Sequence, residues 1–259
     1  MKRSDLICEN GVINDKEITD FVHIHTLYRT KYSEIIVDEK LSKRLKSPQG
    51  RYVTIYCGDG NCEECLCHIL ESFITPGKAL VVGLGNERIC SDSLGAKTLR
   101  YVPATSHLSV NIAFKELGMR EVYVIETSVT GKTGIESAEQ ISCISDMIKA
   151  DIIIIIDSLA CSETERLCRT IQITDSGISP GAGVGNNRKA INSRTLGCRV
   201  VSIGVPTVID YKRGGETLMV TPRNIDVVID SFSSMIGKSI SRALNPTLTE
   251  REIESLIIR

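Results

Sequence analysis

Neither sign of charge predominates in this sequence: 31 Lys and Arg stand against 32 Asp and Glu, a net charge of −1 over 259 residues. No global field is available to recruit nucleic acid or an acidic membrane surface, so no direct nucleic-acid or membrane partner is expected and any partner must be recognised locally. Long hydrophobic runs are missing too. None approaches the roughly 20 residues of a membrane helix, and the opening MKRSDLICENG has no signal-peptide core, so a soluble, cytoplasmic chain is expected. Internal repeats, low-complexity tracts and linkers are absent, and the expectation is one α/β domain over 1–259, with residues 1–50 a hairpin or edge element. The catalytic serine signature G-x-S-x-G is also lacking, and Cys161 has no evident histidine partner in the sequence, which sets aside serine and cysteine mechanisms.

What the chain does have is ten cysteines. Without an export signal these read for the most part as reduced thiols, small buried hydrophobes in a reducing compartment. One cluster, YCGDGNCEECLCH at 56–68, offers Cys57, Cys62, Cys65, Cys67 and His68 as zinc ligands. It reads better as a helix opening: structural zinc usually takes two separated pairs, whereas Asn61 and Glu64 resemble an N-cap and capping box. Cys62, Cys65, Ile69 and Phe73 would then form the core stripe of a helix over 61–74, and no metal or cofactor is assigned.

β-branched runs at 51–56, 78–83, 121–129, 151–157, 170–174 and 199–205 are the candidate strands. Helical spacing appears at 61–74, 92–102, 107–118, 134–149 and 224–243, and Thr249 with Glu252 forms a further capping box. Strands alternating with helices predict a mostly parallel central sheet covered by helices on both faces.

The stretch DIIIIIDSLA, 151–160, sets an acid, Asp157, at the end of the most apolar strand. ALVVGLGNERICSDSLGAK, 79–97, sets Asp92 after a second buried strand and a glycine turn. A lone strand-end Asp is often only a cap, but ligands bind beyond the carboxyl ends of parallel strands. If the two strands are neighbours, both acids reach one sheet edge, where paired carboxylates share a proton and supply a base and an acid for peptide hydrolysis. Between them TSVTGKTGIES imitates the end of a phosphate loop, but Glu126 stands where its first glycine is needed. The segment reads instead as a strand-to-helix turn opened by Thr133 or Gly134, with Glu136 in the field of the helix N-terminus. TDSGISPGAGVGNNR, 174–188, packs Gly177, Gly181, Gly183 and Gly185 ahead of Asn186; it suits a substrate cleft as well as an ordinary surface loop. His107 reads as a helix-end residue.

Taken together, RSDLICENG, LVVGLGNERICSDSLGAK, TGIES, the stretch from IDSLACSETE through TIQITDSGISPGAGVGNNRK, TLGCRVVSIGVPTVID and MVTPRNIDVVI resemble the germination protease family over nearly the whole chain. The resemblance implies an aspartic-type endopeptidase of small acid-soluble spore proteins, with a fold similar to hydrogenase-maturation proteases. It implies Asp92 and Asp157 as catalytic acids, and Asn86, Thr133, Glu136, Gly181, Gly183, Gly185 and Asn186 as substrate-binding or supporting positions. It also implies a homo-oligomer acting in the forespore or spore core and made as a zymogen, with Asp5 as the candidate processing position. The sequence departs from the family pattern in Ser91 for proline, in Ser93 and Ser158 for the small residue after each acid, and in the brief YKRGGETL in place of an insertion. A hydroxyl after each acid can hydrogen-bond its carboxylate and alter the balance of the pair. Alternatives are a metal-dependent maturation protease of the same fold and a non-catalytic regulator; VGLGN also occurs in peptidyl-tRNA hydrolases, but there at the N-terminus with a histidine close downstream.

Overall fold

The computed structural model describes residues 4–9, 21–180, 189–213 and 216–257. Among them, nine strands form one sheet: β1 (Val22–Leu27), β2 (Thr30–Val37), β3 (Gly50–Tyr56), β4 (Ala79–Gly83), β5 (Val122–Glu126), β6 (Ile152–Cys161), β7 (Thr170–Thr174), β8 (Arg199–Arg213) and β9 (Glu216–Val220). Their order is β1-β2-β3-β7-β8-β6-β4-β5, and β9 pairs with the far end of β8. The α-helices are α1 (Glu39–Leu45), α2 (Cys62–Phe73), α3 (Leu94–Thr98), α4 (Ile112–Glu116), α5 (Thr130–Thr133), α6 (Ser137–Ile148), α7 (Ser193–Leu196), α8 (Ile225–Leu244) and α9 (Glu250–Leu256).

The isoleucine run explains the layering. Ile152, Ile154 and Ile156 join one core cluster with residues of α2 and α8, while Ile153 and Ile155 join a second with Ile141 and Ile148 of α6. A strand covered on both faces has no use for alternation. Five consecutive β-branched side chains are accordingly all removed from water. At about 1.5–3 kcal/mol for each fully buried aliphatic side chain, this strand is a principal source of the driving force for collapse.

The α/β layering is as expected, while the sheet itself is mixed rather than mostly parallel. Only β8/β6, β6/β4 and β4/β5 are parallel; β1/β2, β2/β3, β3/β7, β7/β8 and β8/β9 are antiparallel. Strands β1 and β2 are joined through Tyr28 and Arg29, both at positive φ (50 and 64). A two-residue connection can only make an antiparallel hairpin. The expected helix over 92–102 breaks into a 3-10 turn at Cys90–Asp92, α3 and a second 3-10 turn, and 107–118 breaks around Asn111, which caps the Ala113 N–H. Helix α8 buries Ile225, Ile229, Phe232, Ile236 and Ile240, and the Thr249/Glu252 box opens α9. No helix among the described residues is long and apolar enough to cross a membrane.

Candidate active site

The last rung between β4 and β6 pairs Gly83 with Ile156, and the Leu84 N–H donates to the Ile156 carbonyl (2.9 Å). Strand β6 continues past this point while β4 ends, so Asp157 is the first residue beyond its neighbour's tip. The chain leaving β4 turns at Gly85 in a left-handed conformation that is open to glycine. A Cβ there would collide with the Asp92 carbonyl and lie 3.0 Å from its Oδ1. The Asn86 N–H donates to the same carbonyl (3.0 Å), and the Asp92 N–H to the Ile89 carbonyl (2.8 Å). This short loop therefore folds Asp92 back over the end of its own strand. Helix α3 then seats on the strand tips through Gly95, where a Cβ would stand 2.5 Å from Leu84 N and 2.7 Å from Ile156 O.

Asp92 and Asp157 consequently line one cavity of about 270 Å³ just beyond the carboxyl end of β4, where the parallel strand β6 continues past it. Asp157 is 6% exposed, and its Oδ1 accepts the Ser158 N–H (2.9 Å). Asp5 lines the same cavity: its N–H donates to the Ala160 carbonyl (2.9 Å) and its Oδ2 accepts the Ala160 N–H (2.8 Å). The remaining lining includes Leu84, Val129, Leu159, Val208 and Met219. Polar and apolar groups line the cavity in similar measure, and three of the polar ones are the carboxyl groups of Asp5, Asp92 and Asp157.

The segment holding Asp5 is firmly seated. Leu6 and Ile7 are buried, and the Glu9 carboxylate accepts the N–H groups of Ser162 and Glu163 and pairs with Arg166. Cleavage beside Asp5 would require Leu6 and Ile7 to be withdrawn from the core first. The other supporting positions stand differently. Asn86 holds the loop, accepting the Arg88 N–H on its Oδ1 (3.1 Å), and does not line the cavity. Thr133 and Glu136 also lie outside the lining, because the turn makes a separate one-turn helix, α5, ended by Gly134 in the left-handed region, so that α6 starts only at Ser137. Val129 and Ser137 take the cavity positions instead; Thr133 is exposed, and the Glu136 carboxylate accepts the Thr130 hydroxyl (3.2 Å). Gly181, Gly183, Gly185 and Asn186 lie outside the described residues.

The two departures after the acids do not act on the carboxylates as expected. The Ser93 hydroxyl donates to the Cys90 carbonyl (2.8 Å), and the buried Ser158 Oγ has no hydrogen-bond partner. The residue that the sequence reading missed is Thr207. Ala160 pairs with Val208 while Leu159 pairs with Pro206, so Thr207 is the extra residue of a bulge in β8. A bulge re-aims a side chain. Here the fully buried Thr207 hydroxyl donates to the Ser91 carbonyl (2.6 Å), holding the residue next to Asp92. The signal in the sequence was Pro206, since a proline inside a strand marks a bulge or an edge.

The four cysteines of the cluster are not all reduced thiols. Cys57, just after β3, and Cys62, the first residue of α2, are joined as a disulfide with Cα atoms 5.7 Å apart. That separation is within bonding reach because the 57–61 loop folds back. Cys65 and Cys67 turn into the core and His68 outward, edge-on to Tyr28. Among the described residues no group of three or more His, Cys, Asp or Glu is placed to hold a metal. Burial pushes the Cys161 thiol up to about 12, and its Sγ contacts the Val208 carbonyl (3.6 Å). It is therefore protonated at neutral pH and no nucleophile. Alkylation at pH 8 should accordingly mark the exposed Cys90 and Cys143 within minutes and leave Cys161, Cys65 and Cys67 unmarked until the protein unfolds, as read by peptide mass mapping.

A model of the germination protease family matches residues 9–213. The chain is 35% identical to a germination protease of Clostridium tetani, over 88% of this chain and 89% of that protein. It is 34% identical to one of Caldanaerobacter subterraneus, over 86% of each. Among solved structures it is similar to a NiFe hydrogenase maturation protease of Thermococcus kodakarensis, with a TM-score of 0.43 and 17% identity over 68% of this chain and 98% of that one. With a family match across most of its length and full-length relatives sharing about a third of their residues with it, this chain belongs to the germination protease family and is a peptidase.

Proposed function

We propose that the chain is an endopeptidase of small acid-soluble spore proteins, acting in the forespore or spore core during germination by a paired-aspartate mechanism. The observation that carries this reading is the convergence of Asp92, from the loop after β4, and Asp157, from the neighbouring parallel strand β6, on one cavity. A carboxylate pair in such a place shares a proton. The ionised member draws a proton from water, and the protonated member hydrogen-bonds the scissile carbonyl and stabilises the oxyanion that develops there. Collapse of the tetrahedral intermediate returns a proton to the leaving amine. The pair titrates jointly, so the two roles belong to the dyad rather than to a named residue. The same reading makes the protein a homo-oligomer and leaves Asp5 as the processing position of a precursor.

The competing reading of the fold is a metal-dependent maturation protease, and chelation separates the two. Incubation of the purified protein with a small acid-soluble spore protein should give the same fragments at the same rate with and without EDTA, followed by gel and mass spectrometry. Loss of cleavage in EDTA with recovery on adding a divalent metal would replace the dyad by a metal centre.

A further inference from the structure

The cavity holding the acids does not end at them. Asp5 and Leu159 form a wall shared with a second cavity of about 270 Å³, and that cavity in turn shares Pro48, Ser176 and Asn192 with a third depression of about 430 Å³. The third is lined by residues just outside β3, β7 and β8, among them Gln49, Asp175 and Arg194.

The floor of the second cavity is the β7/β8 ladder, where Gln172 pairs with Gly204 and Thr174 with Ser202. Elsewhere the central strands are aliphatic, and Val200 in the same strand joins the core cluster with α6. Here the chain carries small polar side chains instead. Gly204 cannot take a Cβ, which would lie 2.5 Å from the Leu159 side chain forming the shared wall. Ser202 is 4% exposed, and its Oγ has no hydrogen-bond partner. An unpaired hydroxyl at such depth is unfavourable in the free protein, so its presence asks for a partner that arrives later.

The protein already lays peptide into this trough. The Gln172 Oε1 accepts the Ile7 N–H (2.9 Å), and its Nε2 donates to the Asp5 carbonyl (3.3 Å), so residues 5–7 are held through their main chain. Leu6 and Ile7 are buried as well, so main-chain bonds and side-chain burial act together on this segment.

We propose that the second and third depressions are a substrate subsite, binding an extended polypeptide segment of the substrate remote from the scissile bond. The segment is held through its main chain, and the Ser202 hydroxyl, turned by one χ1 rotation into the trough, bonds one of its peptide groups. This rests on the reading of the first cavity as the place of cleavage. Its consequence is that long unfolded chains are cut better than short peptides carrying the same scissile bond.

The test compares an intact small acid-soluble spore protein, or another unfolded protein that the enzyme cuts, with a peptide limited to three residues on each side of the mapped cleavage. Ser202→Ala removes the hydroxyl, and Ser202→Val also fills the trough. Either variant should raise KM for the long substrate about tenfold, the worth of one well-made hydrogen bond, with kcat unchanged and the short peptide unaffected. Ser202→Ala should keep the unfolding midpoint, because the hydroxyl has no partner to lose, and it carries the test if Ser202→Val fails to fold. Equal effects on long and short substrates, or no effect of Ser202→Ala on the long one, would overturn the subsite. Activity retained in Asp157→Asn would instead overturn the reading of the first cavity, so the two failures are distinguishable.

Discussion

Asp92→Asn and Asp157→Asn will each lower the rate of spore-protein cleavage by about 10³-fold or more, the scale expected when general acid–base chemistry is removed from a site that depends on it. Neither substitution should unfold the protein. Asn is nearly isosteric with Asp and keeps the side-chain oxygen that accepts the Ser158 N–H at residue 157. At residue 92 the main-chain bonds to Asn86 and Ile89 hold the turn, and these survive the exchange. Circular dichroism and the unfolding midpoint should therefore match the parent within error. The double variant should be scarcely worse than either single one, because two groups that act as a unit fail together. A variant that keeps most of its rate would show that one acid is a cap and would end the dyad reading.

Gly95→Ala will damage both stability and activity, and for one geometric reason. The helix that follows Asp92 packs backbone to backbone on the tips of β4 and β6, and the added methyl has to enter space occupied by Leu84 and Ile156 main-chain atoms. Backbone cannot rotate aside as a flexible side chain can, so α3 must lift away from the strands. Overpacking of this kind costs about 1–3 kcal/mol, which for a chain of this size lowers the melting temperature by roughly 2–4 °C for each kcal/mol. Lifting α3 also displaces Asp92, two residues before it, from the cavity it shares with Asp157, so cleavage should fall at temperatures where the variant is still fully folded. Gly131→Ala is the control. A Cβ there meets nothing within 4 Å. The added methyl also reduces the freedom of the unfolded chain, so stability should hold or rise slightly. Equal losses in the two variants would show that the close seat of α3 is unimportant.

Much of the fold around these acids is legible in the sequence because its signals are local. The unbroken run from Ile152 to Ile156 suits a strand buried on both faces, and the strand runs on through Asp157, which lies just past the tip of β4. The glycines of VGLGN announce a tight reversal, and Gly85 does adopt a positive φ. Asn61 and Thr249 accept from the amide N–H groups of Glu64 and Glu252 respectively, as short-range capping patterns predict. Where the reading slipped, two local alternatives were close in energy. The TGKTG segment could open one long helix or close a short one. Gly134 in the left-handed region decided for the short one, leaving Thr133 and Glu136 off the cavity. The cysteine spacing reads as a helix opening with reduced core thiols in preference to a metal set, and the bridge appears only with the return of the 57–61 loop, which brings Cys57 to Cys62.

By itself the sequence determined that one acid follows the isoleucine run, that another follows a glycine turn after a second buried strand, and that the chain between them alternates strand and helix, since burial pattern and turn chemistry are properties of a few consecutive residues. Only the tertiary structure decided that β4 and β6 are neighbours, that antiparallel strands extend the sheet beyond β8, that Asp5 returns to the acids from across the chain, and that a bulge turns Thr207 toward Ser91. Those outcomes depend on which distant surfaces bury each other best. That competition is settled among all the elements at once, and no window of the sequence contains both sides of it.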